Sequence, residues 1–226
     1  MDDELFDDAI IFQDRVDAGR QLAEKLLRFR DENPVILALP RGGVVVGYEI
    51  AKRLHAPLDV IVARKLGAPY QPELGIGAIA PGGVRVLDEM ALDYLGITPE
   101  QLERITAAET EEMERRERLY RGDRPAPDIR DKTVILVDDG LATGVTARAA
   151  IRSARQQQPR HLVLAVPVCA PETAGALRAE ADEVICVSAP ASLRAVGLWY
   201  EDFRQVSDAE VIALLKRAQQ EAAAPV

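Results

Sequence analysis

Residues 134–146 read VILVDDGLATGVT, and this stretch is the strongest indication of the fold class in the sequence. The β-branched apolar run Val134–Val137 predicts a strand that is buried on both faces. The strand ends in two adjacent carboxylates, Asp138 and Asp139, and after a short turn a helix is predicted at Thr146–Gln157. A buried strand that passes through a short polar turn into a helix is typical of a parallel α/β sheet.

Apolar runs alternate with helical segments on both sides of this stretch. The other runs that predict strands are Val35–Leu39, Leu58–Ala63, His161–Val166 and Glu183–Val187. The other predicted helices are Asp14–Arg30, Val44–Leu54, Glu172–Ala181 and Ser207–Arg217. This alternation favours an α/β fold with a mostly parallel, twisted sheet flanked by helices. Ligands of such sheets bind beyond the carboxyl ends of the strands, so the loops there are the candidate site.

The composition excludes several classes of protein. The chain has 226 residues, of which 48% are hydrophobic and 29% charged, as expected for a folded domain with a sizeable core. Its net charge of −9 argues against binding to nucleic acid, which needs a basic surface. No apolar run approaches the roughly 20 residues of a membrane helix, and the acidic start is unlike a secretory leader. Two cysteines and two histidines indicate no disulfide framework and no zinc site, so we expect a cytoplasmic protein.

The turn after Val137 has the chemistry of a ribose phosphate site. Gly140 and Gly144 permit close backbone approach, and successive N–H groups at a helix N-terminus attract an anion. The hydroxyls of Thr143 and Thr146 add donors. The two carboxylates before this turn can accept hydrogen bonds from a vicinal diol, so phosphate and diol together indicate a ribose 5-phosphate. The alternative is a tight turn whose acids only face solvent.

This segment resembles the signature of the type I phosphoribosyltransferases, which is a strand, two acidic residues and a small-residue loop ending in Thr-Gly-x-Thr. Residues 138–146 match that signature throughout, and the order of elements agrees over most of residues 30–190. The resemblance implies that Asp138 and Asp139 hold the ribose hydroxyls of phosphoribosyl pyrophosphate and contribute to a Mg²⁺ site. It implies that the 5-phosphate is held by Gly140, Leu141, Ala142, Thr143, Gly144, Val145 and Thr146.

A second candidate anion loop, Pro40-Arg41-Gly42-Gly43, follows the first predicted strand. Arg41 is a fork-shaped cation suited to phosphate, and Gly42 and Gly43 expose backbone N–H groups at the start of a helix. The family has its pyrophosphate loop at this place, often with a cis peptide bond, which the resemblance puts between Pro40 and Arg41. The alternative is a turn in which Arg41 pairs with a surface acid.

Further candidates follow the second apolar run. Arg64 and Lys65 are predicted to meet the pyrophosphate at the carboxyl edge of the sheet, with a solvated edge as the alternative. The Gly- and Pro-rich segment Gly67–Leu87 predicts a flexible lid loop that contains a hairpin. Many purine-type members carry an acidic general base where this chain has Ala142. Glu73 in the lid is therefore the candidate base, although a solvated carboxylate is the simpler interpretation.

The acceptor pocket of the family lies partly under a small hood, which the resemblance assigns here to residues 1–13 and 189–203. Three aromatic residues of the second segment, Trp199, Tyr200 and Phe203, either stack on a flat base or pack in the core. In a chain with only 4% aromatic residues, this cluster is notable.

One predicted helix, at about residues 98–120, is rich in charged side chains. We expect it to be an insertion in a single domain that spans residues 1–226. Thr98 and Gln101 predict a capping box at its start, with Pro99 at its first position. Its narrow apolar stripe is compatible with packing on the domain surface or with a homodimer.

The resemblance implies an enzyme of nucleotide metabolism, a Mg²⁺-dependent glycosyltransferase. Pyrophosphate would leave phosphoribosyl pyrophosphate as a nitrogen nucleophile, an unidentified nucleobase or amine, attacks the anomeric carbon. Arg41, Lys65 and Glu73 would then be the catalytic side chains, and Pro40, Gly42, Gly43 and Arg64 would bind substrate. The alternative is a non-catalytic regulator that binds phosphoribosyl pyrophosphate or a nucleotide, which Ala142 favours.

Overall fold

A computed structural model describes residues 11–223 of the chain. The strands are β1 (Val35–Ala38), β2 (Leu58–Val60), β3 (Arg64–Ala68), β4 (Gln71–Ala80), β5 (Val84–Leu87), β6 (Thr133–Val137), β7 (His161–Val168) and β8 (Glu183–Ser188). The α-helices are α1 (Arg15–Leu26), α2 (Gly42–Leu54), α3 (Glu89–Leu95), α4 (Pro99–Arg121), α5 (Val145–Gln156), α6 (Pro171–Leu177) and α7 (Asp208–Ala223). Two short 3₁₀ helices lie at Leu27–Glu32 and Val196–Trp199. Most of the predicted hood segment 1–13 lies outside the described residues.

Five strands form a parallel sheet in the order β2-β1-β6-β7-β8, which confirms the predicted fold class. All residues of β1 and β6 are buried, as their continuous apolar sequences require. The chain goes from β1 to β2 on one side and later returns to β6 on the other side of β1. The direction of winding therefore reverses between β1 and β6, and this is where doubly wound sheets bind their ligands. Both predicted anion loops follow these two strands.

Helices cover both faces of the parallel sheet. Successive residues of β1 point to opposite faces, so Ile36 packs in one core and Leu37 in the other. Helices α1, α2 and α7 cover the first face, and α5 and α6 cover the second. Two predicted helices are too long: α1 ends at Leu26 and passes into a 3₁₀ turn, and α6 ends at Leu177. Within residues 11–223, no helix is long and apolar enough to cross a membrane.

The segment predicted as a lid loop, Gly67–Leu87, is largely sheet. Strands β3, β4 and β5 form a separate antiparallel sheet, in which the predicted hairpin is present as β4 and β5. The inner half of β4, Ile76–Ala80, is buried, and β4 and β5 pack against α5. Glycine permits close approach between these strands, since a Cβ at Gly77 would lie 2.3 Å from Val86 O. Residues 70–74, which span the end of the β3–β4 turn and the start of β4, are exposed, and so are Gly82, Gly83 and Arg85 in the β4–β5 hairpin.

Helix α4 begins with the capping box that the sequence predicts. The Thr98 hydroxyl accepts from Gln101 N at 3.3 Å, and the Gln101 side-chain oxygen accepts from Thr98 N at 2.9 Å. Because its apolar stripe is narrow, α4 is also attached through ion pairs, among them Arg64–Glu109 at 2.6 Å and Arg121–Asp59 at 3.1 Å. The helix therefore packs on its own domain, and the homodimer stays a prediction.

The two cysteines lie near each other at the carboxyl edge, Cys169 after β7 and Cys186 within β8. A hydrogen bond from the Cys169 thiol, helped by the charges of Lys25 and Arg178, lowers the pKa of Cys186 to about 7. The same hydrogen bond, together with burial, raises the pKa of Cys169. Cys186 is also half-buried, whereas Cys169 is fully buried.

We expect iodoacetamide to modify Cys186 and to leave Cys169 unmodified in the folded protein. Because the thiolate is the nucleophile, the rate at Cys186 should rise as the pH passes about 7 and level off about one unit above. Peptide mass spectrometry after timed labelling at several pH values measures this. Modification of Cys169 at an equal rate, or a rate at Cys186 that still rises steeply above pH ~9, contradicts the prediction.

Candidate active site

The two predicted anion loops lie side by side at the carboxyl edge of the parallel sheet. Leu39 N donates to Val137 O at 2.8 Å, which joins the ends of β1 and β6. A Cβ at Gly42 would lie 1.9 Å from Asp139 Oδ2, and one at Gly43 would lie 2.8 Å from Val137 O. Both glycines are therefore required for contact between the loops. Residues distant in sequence meet here as the strand order demands.

The first loop has the backbone geometry that the resemblance implies. The peptide bond between Pro40 and Arg41 is cis, as predicted. Helix α2 begins at Gly42, so the free N–H groups of its first turn face this edge of the sheet. An Arg41 guanidinium nitrogen lies 3.9 Å from Asp208 Oδ1. The same oxygen accepts a hydrogen bond from the Tyr120 hydroxyl at 2.5 Å. The long Arg41–Asp208 distance leaves the guanidinium able to turn toward a phosphate.

Asp138 and Asp139 each use one carboxylate oxygen within the protein. Asp138 Oδ1 accepts from Asp139 N at 2.8 Å, and Asp139 Oδ2 accepts from Arg15 Nε at 2.8 Å. A side-chain hydrogen bond between the two acids contributes to the raised pKa of Asp138, and no side chain or backbone group from elsewhere in residues 11–223 donates to either carboxylate. One oxygen on each of two adjacent residues is therefore available, which matches the two donors of a vicinal diol.

The environments of the two acids differ. Burial, and next the negative charge of Asp139, raise the pKa of Asp138 well above its usual range. The hydrogen bond from Asp139 N and the charge of Arg15 act in the opposite direction but are weaker. A cation beside Asp138 would relieve this unfavourable charge.

The donors at the acid pair determine which kind of Mg²⁺ site can form there. Within residues 11–223, no three His, Cys, Asp or Glu side chains converge to hold a metal ion by themselves. Mg²⁺ is commonly held by one or two carboxylates together with substrate phosphates and waters. The donors at Asp138 and Asp139 fit only this second arrangement, and Asp139 already has a cationic partner in Arg15.

The second loop, residues 140–146, is anchored at its centre and leads directly into α5. Leu141 forms a bridge with Cys169, and Ala142 O accepts from the Thr173 hydroxyl at 2.6 Å. Gly144 has a φ of +71°, which a residue with a side chain rarely adopts, and it directly precedes α5. The loop therefore enters the helix with the first N–H groups of α5 unpaired within the helix.

The hydroxyls predicted to contact phosphate lie at the start of α5. Thr143 is exposed, and Thr146 in the first turn is half-buried. Both are positioned where a helix N-terminus favours an anion. The loop contains no carboxylate, so the position of the purine-type base is occupied by Ala142, as the sequence indicates.

The segment 189–203 packs onto this loop, in the place expected for a hood. A Cβ at Gly140 would lie 2.3 Å from Val196, so glycine allows the two segments to touch. The Tyr200 hydroxyl donates to the backbone oxygen of Asp139. The hood segment therefore contacts both the acid pair and the phosphate loop.

The aromatic cluster of the hood is used mainly for packing. Tyr200 is buried, with its ring centre 5.3 Å from that of Phe12 and 4.9 Å from that of Phe203. Phe12 also pairs through its backbone, since Phe12 N donates to Trp199 O at 2.9 Å. For Tyr200, Phe203 and Trp199 the geometry favours the core-packing alternative, since Phe203 and Trp199 are partly buried against Phe12 and Tyr200, whereas Leu198 is exposed.

Three predicted site residues are not brought to the acid pair. Strand β2 ends at Val60, so Arg64 and Lys65 begin β3 instead of ending the second strand, and they point to opposite faces of β3. Arg64 is paired with Glu109, and Lys65 Nζ donates to Glu73 O at 2.7 Å. No hydrogen bond or ion pair within residues 11–223 joins Arg64, Lys65 or Glu73 to Asp138 or Asp139. Their roles in binding and catalysis stay predictions.

The sequence analysis missed Arg15, which lies on the buried face of α1. The signal was present, because Arg15, Ala18, Leu22 and Leu26 share one helix face at spacings of three and four. An arginine within an apolar stripe needs a buried partner. That partner is Asp139, 124 positions later in the chain.

The fold assigns this chain to the doubly wound α/β proteins with loops clustered at a switch point. More specifically, the chain belongs to the phosphoribosyl transferase domain family, whose model matches residues 10–201. "Putative phosphoribosyl transferase Rv0571c" of Mycobacterium tuberculosis (strain ATCC 25618 / H37Rv) is 43% identical over 211 residues. That match covers 93% of this chain and 48% of the relative, so the chain spans about half the length of the curated relatives it matches.

A solved structure is similar over nearly its whole length. The crystal structure of TT1426 from Thermus thermophilus is 44% identical to this chain, with a TM-score of 0.76. The match covers 92% of this chain and 98% of that one. The arrangement of strands and helices described above is therefore shared with an experimentally determined fold.

Proposed function

We propose that this protein is a phosphoribosyltransferase that binds phosphoribosyl pyrophosphate and transfers its phosphoribosyl group to a nitrogen nucleophile. The observation that carries the proposal is the contact of Gly42 and Gly43 with the strand end that bears Asp138 and Asp139. The substrate has pyrophosphate at one end of its ribose and a phosphate at the other. The loop of Arg41, the acid pair and residues 140–146 offer matching groups in that order.

In the proposed reaction, the bond between the anomeric carbon and the pyrophosphate oxygen breaks, and a carbon–nitrogen bond forms on the same carbon. Positive charge develops on the ribose ring, as in glycoside hydrolysis. Arg41 and the N–H groups at the start of α2 stabilise the leaving pyrophosphate, and Asp138 and Asp139 fix the ribose hydroxyls. Most of the rate enhancement then comes from orientation and from stabilisation of the leaving group.

The proposal includes Mg²⁺ as a cofactor held jointly by the protein and the substrate. When bound, the ion would neutralise part of the negative charge of the pyrophosphate. Asp138 is the better protein ligand of the two acids, because its carboxylate is partly desolvated and has no cationic side chain in contact. Asp139 would contribute through the oxygen that Arg15 leaves open.

The proposed acceptor site lies between the phosphate loop and the hood. Gly140 lies against Val196 there, and the same hood segment carries the exposed Leu198 and the partly buried Trp199. The phosphate loop carries no acid, so a general base must come from elsewhere. Glu73 on the exposed half of β4 can serve only if the exposed residues 70–74 move toward the site. A nucleophile that needs no general base, such as a neutral amine, fits the loop equally well.

The first test is pyrophosphate release from phosphoribosyl pyrophosphate and Mg²⁺ across a panel of nucleobases and amines. We expect release with at least one acceptor. Binding of phosphoribosyl pyrophosphate without release from any acceptor would favour the second candidate, a non-catalytic binding protein, for which Ala142 is the specific observation. Failure to bind phosphoribosyl pyrophosphate at all would contradict both.

With an acceptor identified, Arg41→Ala is expected to lower kcat/KM by about 100-fold or more. The same variant should change the affinity for ribose 5-phosphate, which lacks the pyrophosphate, by less than about 3-fold. Steady-state pyrophosphate release and isothermal titration calorimetry measure the two effects. The matched control is Arg53→Ala at the other end of α2, where Arg53 pairs with the exposed Glu24 and with no other acid of residues 11–223. Equal loss of catalysis and of ribose 5-phosphate binding would exclude the proposed role of Arg41.

A further inference from the structure

Arg15 joins three separate parts of the chain at the acid pair. Its Nε donates to Asp139 Oδ2 at 2.8 Å, and one terminal nitrogen donates to Arg204 O at 2.9 Å. The guanidinium carbon lies 3.8 Å from the centre of the Phe203 ring, within range of a cation–π contact. The side chains of Arg15 and Asp139 are only 10% and 18% exposed, so solvent screens their attraction little.

We propose that Arg15 is a positioning residue that orients Asp139 for the ribose hydroxyls. This inference rests on the proposed function and concerns the same site. Two carboxylates lie on adjacent residues here, and without a cation they would repel each other in a half-buried setting. Arg15 occupies one oxygen of Asp139 and leaves the other without a side-chain or backbone donor from outside the acid pair among residues 11–223, so the orientation of the carboxylate is restricted.

The contacts of Arg15 also connect the ribose site to the hood. The hood segment contacts Asp139 through Tyr200, whose hydroxyl donates to the Asp139 backbone oxygen. Arg15 contacts the side chain of the same Asp139 and, on its other side, Phe203 and Arg204 O. Arg15 therefore holds the side chain of Asp139, and Tyr200 of the hood holds its main chain. Displacement of either should change how Asp139 presents its open oxygen.

A lysine cannot reproduce this arrangement. Arg15 uses Nε for the carboxylate, a terminal nitrogen for the Arg204 carbonyl and its planar face for Phe203. A lysine has one ammonium group and no planar face, so it can satisfy at most part of this set. Arg15→Lys retains the positive charge, and comparison with Arg15→Ala separates the contribution of charge from that of geometry.

The experiment measures the affinities of three ligands by calorimetry: ribose 5-phosphate, 2-deoxyribose 5-phosphate and inorganic phosphate. For Arg15→Ala we expect ribose 5-phosphate to bind about 10- to 100-fold more weakly, because charge-assisted hydrogen bonds to Asp139 lose their geometry. Arg15→Lys should recover only part of this loss. The affinity for 2-deoxyribose 5-phosphate should fall less, since this sugar lacks one hydroxyl of the diol. Inorganic phosphate should change by less than about 3-fold, because its loop has no contact with Arg15.

A double-mutant cycle isolates the interaction between Arg15 and Asp139. In an Asp139→Asn background, Arg15→Ala should cause little further loss of ribose 5-phosphate affinity, because the group it orients is already altered. This double variant also removes both charges of a buried pair, which proteins tolerate better than removal of one partner. It therefore keeps the test available if Arg15→Ala alone folds poorly. Arg20→Ala on the same helix is the control, because Arg20 is 69% exposed and pairs with Glu49.

The outcomes distinguish this inference from the proposed function. If wild-type protein binds ribose 5-phosphate and both Arg15 variants bind it equally well, Arg15 is not a positioning residue, although the proposed function stands. If all three ligands lose affinity in parallel, Arg15 has only a general structural role and the inference is wrong. If wild-type protein binds no ribose 5-phosphate, the proposed function fails and the inference fails with it.

Discussion

The double variant Asp138→Asn/Asp139→Asn is expected to bind ribose 5-phosphate about 100-fold more weakly than wild type, or worse. Each acid has one open oxygen for a hydroxyl, and hydrogen bonds to a charged acceptor contribute about 1.5–3 kcal/mol each. Two weakened bonds together account for a loss of this size. The change also leaves the buried Arg15 without its anionic partner. Calorimetric titration of ribose 5-phosphate measures the effect.

The specificity of this loss is what tests the ribose site. Inorganic phosphate should bind to residues 140–146 of the double variant with an affinity within about 3-fold of wild type, since no contact to that loop is removed. The matched control is Asp123→Asn/Asp128→Asn, which changes the net charge equally at two exposed positions. Unchanged ribose 5-phosphate affinity in Asp138→Asn/Asp139→Asn would refute the assignment of the acid pair to the ribose. An equal loss of affinity in the control variant would show that the loss comes from the change in net charge alone.

The parallel sheet could be predicted because its strands are short, continuous apolar runs, such as Val134–Val137, followed by polar loops. A strand buried on both faces carries its own signal in sequence, independent of its neighbours. The proximity of Arg41 to the acid pair followed from topology, since loops at the carboxyl ends of adjacent parallel strands must meet. Local sequence therefore determined the main architecture and the position of the candidate site.

The antiparallel sheet was harder to predict, because glycine has two opposite uses. In a flexible loop it supplies conformational freedom, but in the β3–β4 pair it allows backbones to approach, as at Gly67, where a Cβ would lie 2.3 Å from Pro72 O. Composition alone does not separate these cases. The prediction that Arg64 and Lys65 end the second strand was wrong for a different reason, because β2 stops at Val60 and these two residues begin β3.

Side-chain partners far apart in sequence could not be predicted. Arg15 and Asp139 are 124 positions apart, and Tyr200 and Asp139 are 61 apart. Each residue has a common alternative role, the arginine on a solvated helix and the tyrosine in a core. Only the fold brings them to one acid. The site therefore depends on the N-terminal helix and the hood as much as on the signature loop.

The contact between the two loops leads to the second large effect, Gly42→Ala. A methyl group at Gly42 would lie 1.9 Å from Asp139 Oδ2 and 2.7 Å from Arg15 Nε. These two atoms are hydrogen-bonded to each other, so neither can move away without breaking that bond. We expect a loss of about 1–3 kcal/mol in the free energy of unfolding, as for other overpacked sites. Ribose 5-phosphate should bind about 10-fold more weakly or worse, because Asp139 must move. Denaturant unfolding and calorimetry measure the two quantities.

Helix propensity alone predicts that Gly42→Ala raises the free energy of unfolding. Comparison with a second helical glycine therefore separates propensity from packing. Gly42 is the first residue of α2, and alanine is the better helix former by about 1 kcal/mol in a helix interior. Gly175 lies inside α6, and a Cβ there would meet nothing within 4 Å. Gly175→Ala should therefore stabilise the protein by about 0.5–1 kcal/mol and leave ribose 5-phosphate binding unchanged. If Gly42→Ala behaved like Gly175→Ala, the loops would not be packed against each other, and the ribose site would lose its geometric basis.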